Sequence, residues 1–386
     1  MHVTHECHRC SIVHHVRGSP CGAGNRTPDR HAGIEPDERR VADDHRRQLR
    51  GHVHGRTWAA GSVTGGEYGN QLEKAPASNY AGLTAGNVSA STDGGRVNVN
   101  RGGVVSSGSL NGVTVNEGTN VVAGNVANST LNRASYVAGS VSNSTFNGGA
   151  YVGGSVAHSN INGGATIGGA VANSNINGSG FGGMTAEMNA NRSAAASTDF
   201  GKVLGDLSDS LARLKSTGST VDISGNQATF TAVADAGGVA VFDLTGIDDT
   251  LFTLGEFAFN LNGASTVIMN TDVTTASIHA NFLAGSAETI GSRVIWNFHD
   301  ATNVAIGTQF GGSVLATDAL VTNTRDIEGG LFARALNLQA QVHVQPFAGN
   351  VDLLSPVPEP TEVAMIMAGL AMFGVGHVRR RECFKR

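Results

Sequence analysis

Cysteine and histidine side chains cluster near the start of this 386-residue chain. Cys7-x-x-Cys10 with His14 and His15 has a spacing at which thiolates and imidazoles can hold zinc in tetrahedral coordination. Residues 1–56, however, also hold ten Arg, no Lys and nine of the chain's 14 His, a composition typical of translation from a mis-called start. We therefore interpret 1–56 as a disordered or mis-called N-terminal segment and assign it no metal site. A basic arm that binds nucleic acid is the other alternative.

Five aspartates in the second half of the chain offer a second chemistry, because polysaccharide lyases and hydrolases built on β-helices use clustered carboxylates. They are Asp248, Asp249, Asp272, Asp300 and Asp318. No two of them fall in one identifiable column of a repeat, so we predict no catalytic residue, no cofactor and no enzyme. A carbohydrate-active β-helix enzyme stays the alternative that these residues leave open.

Hydroxyl and amide side chains recur every 15 residues and offer a third chemistry, the binding of a ligand through hydrogen bonds. A flat array of such groups suits a polysaccharide, another protein or ice. The predicted ligand face consists of Ser129, Thr130, Ser144, Thr145, Ser159, Asn160, Ser174 and Asn175. An ordinary solvated turn face is the other interpretation. The change from Thr to Asn along the array disfavours ice, which calls for a regular Thr or Ala array.

The repeat that positions these side chains runs from Val121 to Gly180 with a period of 15. Its apolar side chains form three columns, separated by Gly, Asn and Ser. The columns are Val122, Val137, Val152 and Ile167; Val126, Val141, Val156 and Val171; and Leu131, Phe146, Ile161 and Ile176. One such unit cannot bury its apolar face alone, whereas units stacked about 4.8 Å apart form a continuous interior. The sequence therefore predicts a mainly β fold, a β-helix or β-solenoid with 15-residue coils.

An asparagine lies near the end of each unit of the repeat. Asn132, Asn147, Asn162 and Asn177 recur at one position, where we expect a turn, because Asn tolerates left-handed φ and can form hydrogen bonds along a stack. Upstream, Val99-Asn100 and Val115-Asn116 continue the third apolar column at a spacing of 16.

A helix is predicted directly after the repeat. Its apolar residues fall on one helical face. They are Phe200, Val203, Leu204, Leu207, Leu211 and Leu214. Ser197, Thr198 or Asp199 can cap the start, and Lys215 followed by Gly218 suits the end. We expect one long α-helix, at about residues 197–215, packed alongside the solenoid.

The C-terminal end combines a proline-rich turn, an uncharged span and a basic end. Residues 350–360 form a Pro-rich linker, and a hydrophobic helix at about 361–378 follows, which is marginally long for a bilayer core of about 30 Å. Arg379, Arg380 and Arg381 would act as a membrane stop on the cytoplasmic side. The tail therefore predicts a transient or permanent anchor in the inner membrane.

This tail resembles the PEP-CTERM sorting signal of Gram-negative bacteria. The matching residues are Val357, Pro358, Glu359 and Pro360, the hydrophobic span and the terminal arginines, so that the signal occupies 357–386. Val363 departs from the resemblance, since the family usually has an aromatic residue there. The resemblance implies export, processing by an exosortase-type sorting enzyme near Pro358–Pro360, and a place at the cell surface or in the extracellular space.

The charge of the remaining chain bears on its partners, and its cysteine content bears on how it is stabilised. The whole chain has a net charge of −5, of which residues 1–56 contribute +3, so the rest is acidic. An acidic body with few aromatic residues predicts no nucleic-acid partner. Residues 57–378 contain no Cys, so the body has no disulfide to stabilise it.

The body resembles the choice-of-anchor A domain of bacterial surface proteins. The matching segments are Val294–Ala301, Gly311–Ala316, Ile327–Ala333 and Val342–Phe347, and the similarity covers roughly 80–349. His299 and Thr317 depart from it, since the family commonly has Pro at both positions. The resemblance implies an adhesive or matrix role without catalytic residues, on a domain at 57–349. The plan of a helix beside a solenoid also resembles bacterial ice-binding proteins, which is an architectural analogy.

Together these patterns predict a non-enzymatic, exported protein of the cell surface or extracellular matrix, adhesive in function and associated with biofilm and exopolysaccharide. Its expected partners are the exosortase-type enzyme, exopolysaccharide or other surface proteins, and the inner membrane. The alternatives are a β-helix polysaccharide lyase or hydrolase and an ice-binding protein.

Overall fold

The computed structural model describes residues 51–92 and 94–349. The Cys7 to His15 cluster, the linker, the sorting motif Val357–Pro360, the hydrophobic span and Arg379–Arg381 lie outside the described residues. The described residues form a mainly β fold, in which short parallel strands assemble into long sheets. This arrangement is consistent with a β-helix.

Three parallel sheets build the first half of the fold, and each 15-residue unit contributes one strand to each sheet. Sheet A has the spatial order Asn175–Ile176, Asn160–Ile161, Thr145–Phe146, Thr130–Leu131, Val113–Val115, Val97–Val99, Gly66–Asn70, His52–His54, Val342–His343, Ile327–Glu328, Phe310–Gly311. Sheet B has the order Thr57–Trp58, Leu83–Ala85, Val104–Ser106, Asn120–Val122, Ser135–Val137, Ala150–Val152, Ala165–Ile167. Sheet C has the order Val171–Ala172, Val156–Ala157, Val141–Ser142, Val126–Ala127, Leu110–Asn111, Val88–Ser89, Val63–Thr64.

The register of these sheets confirms the three apolar columns. Val137 pairs with Val122 on one side and Val152 on the other, and Phe146 lies between Leu131 and Ile161. The columns are fully buried in all but the last coil. Burial at about 25 cal/mol per Å² of apolar surface, repeated at every coil, stabilises the stack.

The first strand of the described residues lies in the middle of sheet A. His52–His54 pairs with Gly66–Asn70 on one side and with Val342–His343 on the other. This strand falls within the segment 1–56 that the sequence placed outside the solenoid domain. Coils from the start and the end of the described chain therefore adjoin at this strand.

Two further sheets form the second half. Sheet D has the order Thr220–Ser224, Gln227–Thr231, Glu256–Asn260, Asn281–Phe282, with the first pair antiparallel. Sheet E has the order Val239–Asp243, Thr266–Thr271, Val294–Phe298, Ser313–Asn323, Asn303–Ile306, Thr275–Ile278, and Leu331–Leu338 also pairs with Ser313–Asn323. Aromatic rings pack where these sheets meet sheet A. The ring of Trp296 in sheet E lies 5.9 Å from that of Phe230 in sheet D and 5.3 Å from that of Phe310 in sheet A, measured between ring centroids.

Four α-helices are present among the described residues: α1 (Ala186–Ser197), α2 (Phe200–Ala212), α3 (Asp248–Leu251) and α4 (Ser286–Ile290). Short 3₁₀ turns occupy Leu72–Lys74 and Leu283–Gly285. Helix α2 corresponds to the predicted helix, and Asp199 caps it by accepting a hydrogen bond from the Lys202 amide at 3.1 Å. The expectation of one long helix is wrong, because α1 precedes α2. Thr198 at the end of α1 has extended φ and ψ, so the chain bends there.

The asparagines predicted at a turn lie where the chain leaves sheet A, with bends at Asn147 and Asn162, and they form the predicted hydrogen bonds along the stack. The expected left-handed φ is wrong, because Asn132 and its equivalents Asn147, Asn162 and Asn177 are not among the residues with positive φ. Left-handed φ occurs instead at Asn128, Asn143, His158 and Asn173, with values from 48° to 51°. In these four units the left-handed residue follows the strand of sheet C and turns the chain toward sheet A.

Candidate functional site

The outer surface of sheet A carries two polar columns, one on each side of the buried column that ends at Ile176. Successive strand residues point to opposite faces, so the residues before and after each buried apolar residue both point outward. The triplets are Asn98-Val99-Asn100, Thr114-Val115-Asn116, Thr130-Leu131-Asn132, Thr145-Phe146-Asn147, Asn160-Ile161-Asn162 and Asn175-Ile176-Asn177. We call this surface the polar face.

The column that follows the apolar residues is a continuous ladder of asparagine amides. Asn147 donates to the side-chain oxygen of Asn132 at 2.6 Å and accepts from Asn162 at 2.9 Å. The same bond joins successive members of the whole series, Asn70, Asn100, Asn116, Asn132, Asn147, Asn162 and Asn177. Six steps of about 4.8 Å give a ladder about 29 Å long. Each amide keeps hydrogen-bonding capacity toward solvent.

The column that precedes the apolar residues is formed by Thr and Asn. Thr130 and Thr145 are half-buried, whereas Asn160 and Asn175 are exposed and joined by a hydrogen bond of 3.0 Å. These four residues belong to the ligand face predicted from the sequence, and the structure aligns them in one column. Because the two polar columns lie two residues apart, they are separated by about 6.6 Å along each strand. The polar face is therefore a regular grid of hydroxyls and amides.

The serines of the predicted ligand face point in the other direction. Ser129, Ser144 and Ser159 are buried, and Ser174 is half-buried because no coil of the described chain follows it. The hydroxyl of Ser144 accepts the Ser129 N–H at 3.1 Å and donates to the Ser142 carbonyl at 2.7 Å. The serine column thus satisfies backbone groups at a corner of the coil. It is a correction to the predicted face, since three of its hydroxyls are not accessible.

The outer faces of sheets B and C differ from the polar face. Helix α1 covers part of sheet B, where Met188 packs with Val105 and Val121, and next to it the rings of Tyr136 and Tyr151 stack at 4.8 Å. Sheet C presents small side chains along its outer column: Thr64, Ser89, Asn111, Ala127, Ser142, Ala157 and Ala172. Among these three sheets, as far as the described residues extend, sheet A carries the continuous asparagine ladder beside a second polar column.

The charge of the outer columns changes along sheet A. From Asn98 to Asn177 the polar face carries no ionisable side chain. Beyond it, His52 lies 3.6 Å from Glu67, and the ring of His54 stacks on His343 at 4.7 Å. A neutral grid selects ligands by hydrogen bonding and shape rather than by charge.

A family model described as "Putative Ice-binding-like adhesive domain" matches residues 41–344. The chain belongs to this family. No curated protein and no solved structure matches the chain. The family description names an adhesive domain, which supports a non-enzymatic role.

This ice-binding-like adhesive domain also holds a carboxylate pair at a corner of sheet E. Asp248, at the start of α3, is buried and accepts a hydrogen bond from Thr271 at 2.5 Å. Desolvation and the charge of Asp248 raise the pKa of Asp272, the residue after that strand. His299 lies 3.2 Å from Asp300 at the end of the next strand. The structure therefore brings Asp248 and Asp272 together, which the spacing in the sequence did not reveal.

The described residues of the adhesive domain contain neither a metal-binding cluster nor a membrane-spanning helix. Within the described ranges 51–92 and 94–349, no group of three or more His, Cys, Asp or Glu side chains is arranged to hold a metal ion. In the same ranges no helix is long and apolar enough to cross a bilayer. The predicted span at 361–378 lies outside the described residues.

Proposed function

We propose that the chain is a non-enzymatic adhesive protein that binds its ligand through the polar face of sheet A. The observation that supports this is the continuous Asn ladder beside the Thr and Asn column, on a surface whose two columns carry no charge from Asn98 to Asn177. Such a grid offers many weak, regularly spaced hydrogen bonds, each contributing about 0.5–1.5 kcal/mol net. A repetitive ligand that contacts several coils at once gains affinity from all of them together.

Exopolysaccharide is the ligand class we favour, because its hydroxyls repeat along the chain and both donate and accept hydrogen bonds. The two columns of the polar face carry no ionisable side chain from Asn98 to Asn177, so they provide no cluster of cations that would hold nucleic acid. Another surface protein with a repeated polar face is the second possible partner.

Export and anchoring belong to the same proposal and rest on the sequence of the tail. The motif Val357–Pro360, the span and Arg379–Arg381 support sorting by an exosortase-type enzyme and a membrane-anchored intermediate at the inner membrane. Mass spectrometry of the protein from its native cells tests this. We expect a C-terminus near Pro358–Pro360; an intact chain from Met1 to Arg386 in the cytoplasm would contradict it.

Adhesion is tested with the purified full-length chain and exopolysaccharide from the source cells, immobilised on a sensor. We expect retention that increases with polymer length, and no release of reducing sugar. A chain that shows no retention on the polymer would contradict the proposal.

Enzymatic cleavage of polysaccharide is a second candidate function, favoured by the Asp248–Asp272 pair. Paired carboxylates act as general acid and base or nucleophile in glycoside hydrolysis. Release of sugar that is lost on Asp272→Asn would establish it. Ice binding is the remaining alternative, suggested by the family description; thermal hysteresis in the full-length chain would support it, and its absence would exclude it.

A further inference from the structure

The two ends of sheet A differ in how they are covered. At one end the outer strand Phe310–Gly311 lies under helix α4, since a Cβ atom placed on Gly311 would be only 2.5 Å from the Ala287 backbone. Phe310 is fully buried there, with its ring 5.3 Å from that of Phe282. Beyond it the interior continues between sheets D and E, and the outermost strand of sheet E, Val239–Asp243, is covered by the chain at Thr217. The Thr217 hydroxyl accepts the Val241 N–H at 3.0 Å, and the Thr217 N–H donates to the Val241 carbonyl at 3.3 Å.

The other end is formed by the last 15-residue coil, which we call the end coil, residues 163–177. Its strands Ala165–Ile167, Val171–Ala172 and Asn175–Ile176 are the outermost members of sheets B, C and A. Within residues 51–92 and 94–349, no further strand pairs with them. Their outward backbone N–H and C=O groups therefore lack ladder partners in the described chain.

Apolar side chains that are buried in every earlier coil emerge at the end coil. Val171 is 48% exposed, whereas Val156, its equivalent one coil earlier, is 0% exposed. Ile167 and Ile176 are half-buried, although they belong to the same interior columns. The cross-section of the hydrophobic interior is therefore open to solvent at this end.

The chain leaves the end coil sideways and does not close it. The Thr166 hydroxyl donates to the Phe181 carbonyl at 2.7 Å, and Phe181 packs with Met184 in the cluster on the outside of sheet B. This exit path leads to α1 along the wall of the stack, so this segment, the next part of the described chain, does not cover the face of the end coil.

The end coil also lacks the usual protection of a sheet edge. Edge strands avoid pairing through charged side chains or proline, yet residues 134–186 contain no Asp, Glu, Lys, Arg or Pro. The lack of charge has a specific consequence for a symmetric contact. Two identical ends can meet about a two-fold axis without placing like charges against each other.

We propose that the end coil is a self-association surface, at which two copies of this chain pair end to end in an isologous dimer. The occupant is a second copy in this orientation because the opposite end of a partner's stack, the buried strand Val239–Asp243, is already covered by the segment at Thr217, which leaves no matching open end for head-to-tail stacking. The contact joins the three interior columns of both copies through Ile167, Val171 and Ile176, and the edge strands supply backbone hydrogen bonds. The dimer presents two polar faces, one at each side of the junction.

Sedimentation velocity of the full-length chain over a dilution series tests the proposal, with Val171→Asp as the variant. The matched control is Val233→Asp, because Val233 is 46% exposed but lies outside the end coil. We expect Val171→Asp to raise the dimer dissociation constant by about tenfold or more, which is about 1.4 kcal/mol, and Val233→Asp to leave it unchanged. Both side chains are exposed in the monomer, so both variants should keep the circular dichroism spectrum of the native chain.

Opposite charges provide a second measurement that a misfolded variant could not mimic. An equimolar mixture of Val171→Asp and Val171→Lys chains should associate more tightly than either variant alone. A native chain that is monomeric at every concentration would overturn the proposal, and so would a dimer that Val171→Asp and Val233→Asp weaken equally.

Discussion

Ser144 and Asn147 recur with the same period and lie three residues apart, yet they have opposite roles. Ser144 is buried and bonds to the backbone of two coils, whereas Asn147 is exposed and bonds to asparagines above and below it. The difference arises at Asn143, whose φ of 48° turns the chain so that the next side chain points inward. Recurrence of a polar residue therefore does not by itself identify an outer surface.

The structure places only part of the predicted ligand face on the polar face of sheet A. Thr130, Thr145, Asn160 and Asn175 do form one column, but the serines were grouped with them, although successive residues of a strand alternate between faces. The signal for the correct partner column was present in the repeated triplet Thr-x-Asn or Asn-x-Asn. Both outer residues of that triplet flank a buried one, and this alternation separates them from the serines.

Removal of the Ser144 hydroxyl tests its structural role. Ser144→Ala leaves the buried Ser129 N–H without its acceptor, so we expect a loss of about 1–3 kcal/mol in the free energy of unfolding. Thr145→Ala, the next residue on the outer side, should change it by less than about 0.5 kcal/mol. Chemical denaturation of both variants measures this; equal effects would mean that Ser144 is not a structural residue.

Helices α1 and α2 show why one helix was predictable and the other was not. Helix α2 buries Leu204 and Leu211 at helical spacing, so its apolar stripe is visible in the sequence. Helix α1 buries only Met188 and Asn191 among many alanines, and its start is fixed by a bond from the Met188 amide to the Thr185 hydroxyl. Its position depends on the outer surface of sheet B, which no local pattern reveals.

A buried polar network attaches α2 to sheet E. Asn297 donates to the Ser208 carbonyl at 2.9 Å and to the Asn270 side chain at 3.0 Å, and it accepts from the Ser208 hydroxyl at 2.6 Å. Asn270 in turn donates to the Leu211 carbonyl at 2.7 Å. Because these groups are buried, their satisfaction depends on the helix lying in this one position.

Disruption of this network should weaken the attachment of the helix. We expect Asn297→Ala to lower the free energy of unfolding by about 1–3 kcal/mol, since it leaves buried groups of Ser208 and Asn270 unpaired. The control is Asn303→Ala on an exposed position of the same sheet, with a change below about 0.5 kcal/mol. Thermal and urea unfolding measure both; a variant Asn297→Ala as stable as the control would contradict the role of the network.

At the scale of the whole molecule, the stack does not follow chain order. Val342 pairs with Val53, so that the last strand of sheet A in the sequence adjoins the first. The repeat predicts how neighbouring coils stack, because each is a near copy of the one before. It contains no information about a contact between residues almost 300 positions apart, and the strand at His52–His54 was accordingly assigned to the N-terminal segment.

Acid should weaken this junction. Burial, with the nearby positive charges of His343, His52 and Lys74, lowers the pKa of His54 below its ordinary value of 6.5. The unfolded chain therefore takes up this proton at a higher pH than the folded chain does. Stability contributed at the junction is complete above pH 6.5 and is lost as the pH falls from there through the lowered pKa.

His54→Asn tests this dependence, since asparagine occupies the equivalent position at Asn70 and Asn100. We expect the variant to lose less stability than the native chain below pH 6.5, whereas His279→Asn, at an exposed histidine, should behave like the native chain. Unfolding by urea across this pH range is the measurement. Identical pH dependence in the native chain and in His54→Asn would contradict the prediction.

We propose that the polar face of sheet A holds the ligand. Two substitutions in one coil distinguish this face from the outer face of sheet C. Thr145 lies on sheet A and Ser142 on sheet C; both are half-buried and point outward, and leucine at either adds bulk without charge. Binding of each full-length variant to immobilised exopolysaccharide is the measurement. We expect Thr145→Leu to weaken binding by about tenfold or more and Ser142→Leu to change binding by less than about twofold. Equal effects, or a larger effect of Ser142→Leu, would mean that the polar face of sheet A is not the binding surface.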